Sequence, residues 1–283
     1  MRIELGRFGL WTSYSVLGEE NAGLAAQLAE RLGYGTVWLG GSPRPSAVTP
    51  LLAGTERLTV ATGIVNVWSD PAELVGAETA QLVCEHPGRF MLGIGIGHPE
   101  ATSDYTRPLT SMREFLDRLD AAHPELSAQD RCLAALGPKM LDLSRERSAG
   151  THPYFTPPDH TRFARDRLGS GALVAPELAC VVDSDPARGR ATARECAALY
   201  LGLRNYTNNL LRFGFTEQDI ADGGSDRLID TIIPHGSAEQ IAAAAQEHLD
   251  AGADHVCLQA VGVSGVPEQE WTALATALGL SSR

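Results

Sequence analysis

Two apolar runs separated by a helical stretch decide the fold of this chain. The first run is Leu58-Thr-Val-Ala-Thr-Gly-Ile-Val65, and the second is Phe90-Met-Leu-Gly-Ile-Gly-Ile96. Asp70-Pro71 lies between them and predicts a helix start, because an acidic cap followed by proline suits the first turn of a helix. Strand, helix and strand in this order predict a βαβ unit, whose strands are parallel and buried on both faces.

The same alternation continues in both directions along the chain. It predicts eight strands, at residues 7–12, 36–39, 58–65, 90–96, 132–136, 151–155, 173–182 and 255–261. Residues 203–233 fit no simple strand–helix unit and predict an insertion of short helices between strands seven and eight. Eight such strands and their helices use nearly all 283 residues. This predicts an α/β fold, a (β/α)8 TIM barrel, as one domain over residues 1–283.

Composition excludes several classes of protein. The chain has 23 Lys and Arg against 35 Asp and Glu, which gives a formal charge of -12. This balance argues against nucleic-acid partners and anionic membranes, because both require clusters of basic residues. No apolar run reaches the ~18 residues of a membrane-spanning helix. The five cysteines are odd in number and far apart, so we expect a cytoplasmic protein without disulfides.

The glycines of the fourth strand are the first candidate site, because active sites of such barrels lie at the C-terminal strand ends. Gly93, Gly95 and Gly97 alternate, so one face of the strand lacks three side chains. Two interpretations stay open: a flat ligand approaches this bare backbone, or the glycines allow tight packing at a barrel corner. His98 follows directly and is a candidate proton donor or acceptor, with an ordinary loop histidine as the alternative.

The turn Gly137-Pro138-Lys139 after the fifth strand is a second candidate site. Free backbone N–H groups at a helix start attract phosphate, and Lys139, the only lysine of the chain, adds a positive charge. A purely structural turn is the alternative, because turns between strands and helices commonly contain glycine and proline.

Three tryptophans lie at or near the ends of the first three strands: Trp11, Trp38 and Trp68. They are candidates for the wall of an aromatic cofactor site, and core packing is the alternative, favoured for Trp38. The chain has neither a His-Glu-x-x-His motif nor a His-x-His at the first strand end. No metal site is therefore predicted.

Several segments together resemble the bacterial luciferase-like oxidoreductases, and most closely their actinobacterial branch that uses the deazaflavin coenzyme F420. They are Leu58 to Val65, Asp70-Pro-Ala72, Pro87-Gly-Arg-Phe-Met-Leu-Gly-Ile-Gly-Ile-Gly-His98, Ala134 to Met140 and Asp250 to Cys257. The segments extend through nearly the whole chain, and those between residues 58 and 98 are the most specific. The resemblance implies a barrel with a flavin or deazaflavin ring lying across the strand ends.

The resemblance also implies roles for individual residues. A cis peptide bond not preceding proline is expected at Gly63-Ile64, where the backbone would press against one face of the ring. The strand ends and the resemblance together give His98 as the candidate acid or base. The expected cofactor-binding residues are Trp11, Gly63, Ile64, Asn66, Gly95, Gly97, Gly137 and Lys139, the last two near the tail phosphate.

The chain departs from the family pattern at the end of the second strand. Several relatives have an acid–histidine pair there, near the substrate, and this chain has Gly40-Gly41-Ser42. His98 stands where a sugar-phosphate dehydrogenase of the family has a carboxylic acid. The substrates of those relatives are therefore not transferred to this chain.

Three functions remain open. The first is an F420-dependent oxidoreductase that transfers a hydride to or from a small organic substrate. The second is an FMN-dependent luciferase-like monooxygenase. The third, from a different class, is a catalytically inactive barrel that still binds the cofactor. Relatives are often dimers, which implies a homodimer.

Overall fold

The computed structural model describes residues 3–100 and 105–281. Its strands are β1 Phe8–Thr12, β2 Thr36–Leu39, β3 Thr59–Thr62, β4 Val65–Asn66, β5 Phe90–Gly95, β6 Arg131–Leu133, β7 Gly150–Thr151, β8 Leu173–Val174, β9 Glu177–Val182, β10 His235–Gly236 and β11 Val256–Ala260. Its α-helices are α1 Tyr14–Leu17, α2 Ala22–Arg31, α3 Thr49–Ala53, α4 Ala72–Glu85, α5 Pro108–Ala122, α6 Pro138–Arg147, α7 Pro158–Leu168, α8 Pro186–Leu201, α9 Arg204–Arg212, α10 Glu217–Ile220, α11 Asp226–Ile232, α12 Ala238–Asp250 and α13 Glu268–Ala277.

The strands form a closed parallel barrel. The hydrogen-bonded order is β10-β9-β11-β1-β2-β3-β5-β6-β7-β8, and β4 pairs with β5. Only residues 175 and 176 separate β8 from β9, and the Ala175 amide still donates to Thr151 while the Cys257 amide donates to Pro176. Residues 173–182 are therefore one barrel strand in two parts, and eight strands close the ring. The predicted TIM barrel is confirmed.

Three details of the sequence prediction are wrong. The sixth strand covers only Gly150–Thr151 instead of residues 151–155, because Pro153 has no amide hydrogen and Phe155 has a φ of 55°. The third strand is interrupted after Thr62, and β4 begins at Val65. At the α4 start, Pro71 occupies the cap position and no side chain caps the helix, so Asp70 does not act as predicted.

The interior of the barrel is closed below the strand ends. One buried cluster fills it, contributed by alternate positions of the strands: Trp38, Ala61, Met91, Cys132, Leu173, Ala175 and Cys257, with Ile3 and Leu5 beneath. The opposite faces of the strands, such as Leu39 and Leu92, pack against the surrounding helices. A ligand must therefore bind above this plug, at the C-terminal ends of the strands.

The predicted insertion of short helices is confirmed between β9 and β11. Helices α9, α10 and α11 follow α8, and their apolar residues Tyr206, Leu210 and Leu228 pack with Ala179 and Val181 of β9. The insertion therefore covers one side of the barrel rim. Within the described ranges, no helix is both long and apolar enough to cross a membrane.

Candidate functional site

Trp11 lies at the end of β1, over the ends of the next two strands. A Cβ atom at Gly40 would stand 2.0 Å from Trp11 Cζ2, and one at Gly63 would stand 2.8 Å from Trp11 Nε1. The indole is partly exposed, and its ring centroid is 5.5 Å from that of Tyr154. The indole thus fills the place of a side chain at position 40. This explains why position 40 is a glycine.

The peptide bond between Gly63 and Ile64 is cis, as the resemblance implied. The Thr62 hydroxyl, just before it, bonds both the amide and the carbonyl of Gly93 at 2.9 Å. A Cβ at Gly93 would stand 1.9 Å from Thr62 O, and one at Gly95 would stand 2.5 Å from Ile64 Cδ1. Both glycines therefore allow close packing of the interrupted strand. A ligand above this point meets the partly exposed Ile64 side chain, not bare Gly95 backbone.

Two buried nitrogen atoms beside Gly63 have no hydrogen-bond partner in the part of the chain that the structure describes, Trp11 Nε1 and His152 Nε2. A Cβ atom added to Gly63 would lie 2.8 Å from Trp11 Nε1 and 3.5 Å from His152 Nε2. His152 Nδ1 is 2.7 Å from the Ala175 carbonyl oxygen, so Nδ1 carries the ring proton and Nε2 is an acceptor. A hydroxyl group suits this pair, because it can accept from Trp11 and donate to His152.

Trp38 is a core residue, which confirms the alternative favoured for it. Its ring stacks on His152 with centroids 3.9 Å apart, and its Nε1 donates to His255 Nε2 at 3.1 Å. Burial lowers the pKa of His152 and of His255 to about 4. Both histidines are therefore neutral at pH 7 and belong to the barrel plug.

Glu177 is a functional candidate that the sequence analysis missed. It begins β9 and is 1% exposed. Its Oε2 accepts a long hydrogen bond of 3.4 Å from the Phe155 amide, and its Oε1 has no partner among the described residues. Burial raises the pKa of Glu177 to about 8, so the side chain is a neutral carboxylic acid at pH 7. The signal was an acid within the apolar run of residues 173–182.

A short chain of hydroxyl groups crosses the same side of the barrel. The Tyr154 hydroxyl donates to Gln259 Oε1 at 2.7 Å, and it therefore accepts from the Tyr200 hydroxyl, also at 2.7 Å. Burial raises the pKa of Tyr200 to about 12 and raises that of Tyr154 further. Both phenols stay protonated and act as donors and acceptors of fixed direction.

Asn66 and Gly97 hold the backbone that precedes His98. Gly97 has a φ of 65°, a region that favours glycine, and a Cβ there would stand 2.9 Å from Asn66 Nδ2. Asn66 Oδ1 accepts from the Trp68 amide at 3.2 Å, and Trp68 Nε1 donates to Ile96 O at 2.7 Å. Trp68 therefore stabilises this corner of the rim.

His98 is partly buried at the rim, under the inserted helix α9. Its ring centroid is 4.9 Å from that of Tyr206, and its Nδ1 is 3.4 Å from Asn205 Nδ2. Burial lowers the pKa of His98, and the Glu100 carboxylate acts in the opposite direction. Nothing in the sequence connects Asn205 or Tyr206 with His98, because these two residues lie in the insertion.

The Gly137 turn leads into α6 with an open N-terminus. Gly137 is the cap residue, and no side chain bonds the first amides of the helix. A Cβ at Gly137 would meet nothing within 4 Å. Lys139 is exposed and makes no hydrogen bond or ion pair with the described residues. These features suit an anion, because the helix start and the ammonium group are both free to bind it.

A family model for luciferase-like monooxygenases matches residues 6–269. The chain belongs to the luciferase-like monooxygenase family. A 5,10-methylenetetrahydromethanopterin reductase of Methanolobus tindarius is 26% identical to this luciferase-like chain over 208 residues. The match covers 60% of the chain and 64% of that protein, which is less than two thirds of its length.

Solved structures confirm the luciferase-like fold. A coenzyme F420-dependent tetrahydromethanopterin reductase from Methanopyrus kandleri has a TM-score of 0.75 and 15% identity, covering 97% of this chain and 99% of that one. An F420-dependent secondary alcohol dehydrogenase in complex with an F420–acetone adduct has a TM-score of 0.70 and 14% identity with the same coverage. The FMN complex of a type II Baeyer–Villiger monooxygenase of Pseudomonas putida has a TM-score of 0.65 and 13% identity, covering 99% and 97%.

In this luciferase-like barrel, most of the predicted site residues lie next to one another at the strand ends. Trp11 contacts Gly63, Ile64 covers Gly95, and Asn66 packs against Gly97 next to His98. Gly137 and Lys139 follow β6, which pairs with β5. They therefore lie at the end of the adjacent strand, apart from the contacts that join the other residues.

Proposed function

We propose that this chain is an F420-dependent oxidoreductase that transfers a hydride to or from a small organic substrate. The observation that carries the proposal is the combination of two features at the C-terminal end of the barrel. One is the surface formed by Trp11 and Ile64, and the other is the open N-terminus of α6 beside Lys139. Together they suit a molecule with a flat ring and a phosphate-bearing tail.

The residues divide between the parts of the cofactor. Trp11, Gly63 and Ile64 form the surface for the ring, supported from behind by Gly95. Asn66 and Gly97 shape the rim beside it. Gly137 and Lys139 bind the phosphate through backbone amides and charge. When bound, the deazaflavin supplies the hydride chemistry, and the protein positions it and excludes water.

The choice of F420 over FMN rests on the family resemblance of residues 58–98 and on two F420-dependent proteins of the same fold, with TM-scores of 0.75 and 0.70. A riboflavin lyase with modified FMN also reaches 0.70, so fold similarity by itself does not separate the two cofactors. An FMN-dependent luciferase-like monooxygenase is the second candidate function. It is favoured by the matching family of luciferase-like monooxygenases and by the FMN complex among the solved structures. The homodimer and the cytoplasmic location stay predictions.

Titration of the protein with oxidised F420, and separately with FMN, followed by fluorescence, tests the cofactor. We expect the protein to bind F420 more tightly than FMN. Because Lys139 forms a charged contact with phosphate, Lys139→Ala should weaken F420 binding about 10- to 100-fold. Lys139→Arg should retain most of the affinity, and added salt should reduce the effect.

Arg162→Ala is the matched control, because it removes an exposed cation whose ion pair with Asp159 lies within α7. It should leave F420 affinity unchanged. Tighter binding of FMN would replace the proposal with the monooxygenase. Binding of neither molecule would contradict both, and equal affinity of the wild type and Lys139→Ala would remove Lys139 from the site.

A further inference from the structure

Helix α9 contacts the His98 segment through consecutive residues. The Arg204 amide donates to Glu100 Oε1 at 3.2 Å. Asn205 Nδ2 is 3.2 Å from Gly97 O and 3.4 Å from His98 Nδ1. The Tyr206 ring, which follows, packs on the His98 ring. The first turn of α9 thus contacts His98 and its neighbours. Neither the barrel strands nor the proposed cofactor surface supplies these contacts.

The orientation of the Asn205 amide is fixed by its neighbours. A backbone carbonyl oxygen can only accept, so the atom that faces Gly97 O must be the amide nitrogen. The second hydrogen of the same nitrogen faces both His98 Nδ1 and the Tyr105 hydroxyl oxygen, each 3.4 Å away. Because an amide nitrogen can only donate, a hydrogen bond to His98 requires an unprotonated Nδ1, with the proton of the neutral ring on Nε2.

The charged and titratable groups around the ring favour this neutral state. Tyr105 and Tyr206 supply no charge, and Glu100 and Arg204 carry opposite charges on the exposed side. Burial lowers the pKa of His98 despite the attraction of Glu100. Nε2 has no hydrogen bond within the described ranges, so its proton is free to meet a ligand.

We propose that Asn205 is a positioning residue that fixes His98 as a neutral Nε2–H donor for a carbonyl or oxyanion oxygen of the bound ligand. The ligand part of this inference rests on the proposed function. His98 then contributes a hydrogen bond to the site and does not act as a general base at neutral pH. The inserted helix, not the barrel, sets the chemistry of this residue.

The test is the tautomer of His98 in protein labelled with 15N-histidine, read from long-range 1H–15N correlations. The His98 signals are assigned by their loss in His98→Gln. In the wild type we expect an unprotonated Nδ1, a protonated Nε2 and a pKa below 6.5. Loss of the donor in Asn205→Ala should mix the two tautomers and raise the pKa of His98 by roughly 0.5–1.

Asn205→Asp gives the sharpest result, because a carboxylate accepts from Nδ1–H. The proton should move to Nδ1, and the pKa of His98 should rise further. Asn208→Asp is the matched control: it adds the same charge to an exposed position of the same helix. It should leave the His98 tautomer unchanged. Thermal melting of all variants reports whether each is folded.

A protonated Nδ1 in the wild type, or identical His98 signals in Asn205→Asp and Asn208→Asp, would overturn the proposal. The measurement needs no cofactor, so its failure is separate from failure of F420 binding. Adding oxidised F420 then distinguishes the source of the oxygen. A downfield shift of the Nε2 proton assigns the acceptor to the cofactor, and an unchanged proton with F420 bound excludes the cofactor as the acceptor.

Discussion

The histidines inside the barrel and the histidine at its rim have lowered pKa values for the same reason, yet their surroundings differ. His152 is 1% exposed, stacks on Trp38 at 3.9 Å and bonds a backbone carbonyl at 2.7 Å. His98 is partly exposed, and its Nδ1 contact with the inserted helix is 3.4 Å long. Burial lowers both pKa values, but His98 lies at the partly exposed rim, whereas the unpaired Nε2 of His152 is buried. A shifted pKa therefore identifies burial, and geometry identifies function.

Truncation of a large side chain in the barrel plug should cause the largest loss of stability. Trp38 is fully buried, so Trp38→Ala should lower the free energy of unfolding by about 3–5 kcal/mol. His98→Ala removes a partly exposed side chain and should cost less than about 1 kcal/mol. Denaturant unfolding of both variants checks the contrast. Comparable losses of unfolding free energy in the two variants would show that His98 contributes as much to the packed core as Trp38 does.

Glu177 extends the comparison to pH. The folded state holds its proton up to a pKa of about 8, and the unfolded chain releases it near 4.5. The contribution of Glu177 to the stability of the wild type should therefore fall between pH 4.5 and 8, by up to about 1.4 kcal/mol per pH unit. Glu177→Gln, which mimics the protonated acid, removes this dependence.

Measurement of unfolding free energy at pH 5, 6.5 and 8 in both proteins isolates Glu177, because the histidine contributions are common to both. We expect near-equal stability at pH 5 and a growing advantage of Glu177→Gln towards pH 8. Parallel curves would mean that folded Glu177 is ionised or hydrated, which would contradict its burial.

A smaller loss of stability should come from a side chain added at Gly40, under the Trp11 indole. Gly40→Ala places a methyl group 2.0 Å from the Trp11 ring, so the ring must move. The expected cost is about 1–3 kcal/mol of unfolding free energy. Gly171→Ala is the control, because its added Cβ would meet nothing within 4 Å. It should be neutral or slightly stabilising, and an equal cost in both variants would mean that the Trp11 contact does not explain Gly40.

Local pattern was enough to predict much of this molecule. Apolar runs and helix signals predicted the eight-stranded barrel, and residues 203–233 stood out as an insertion because no strand–helix alternation fits them. The family resemblance of the segment 58–98 implied the cis bond at Gly63-Ile64, which the structure confirms. The predicted strand ends brought Trp11 and His98 forward as candidates, because residues at strand ends converge in any such barrel.

Other parts of the site required long-range contacts. Asn205 is 107 residues from His98 in sequence, and nothing in either segment encodes their pairing. The alternating glycines were compatible with a bare ligand surface until Ile64 was seen to cover Gly95. The protonation state of Glu177 likewise depends on how deeply its side chain is buried. A single acidic residue in an apolar run does not reveal that depth.

The sequence by itself therefore determined the barrel, its family and the edge at which we propose that a ligand binds, because periodicity and strand ends are local properties of the chain. Only the tertiary structure decided which residues support that edge and in which protonation state. Trp11 excludes a side chain at position 40, and α9 orients His98, through contacts between segments distant in sequence. Desolvation at Glu177 and the histidines is likewise a property of the packed interior, not of the residues alone.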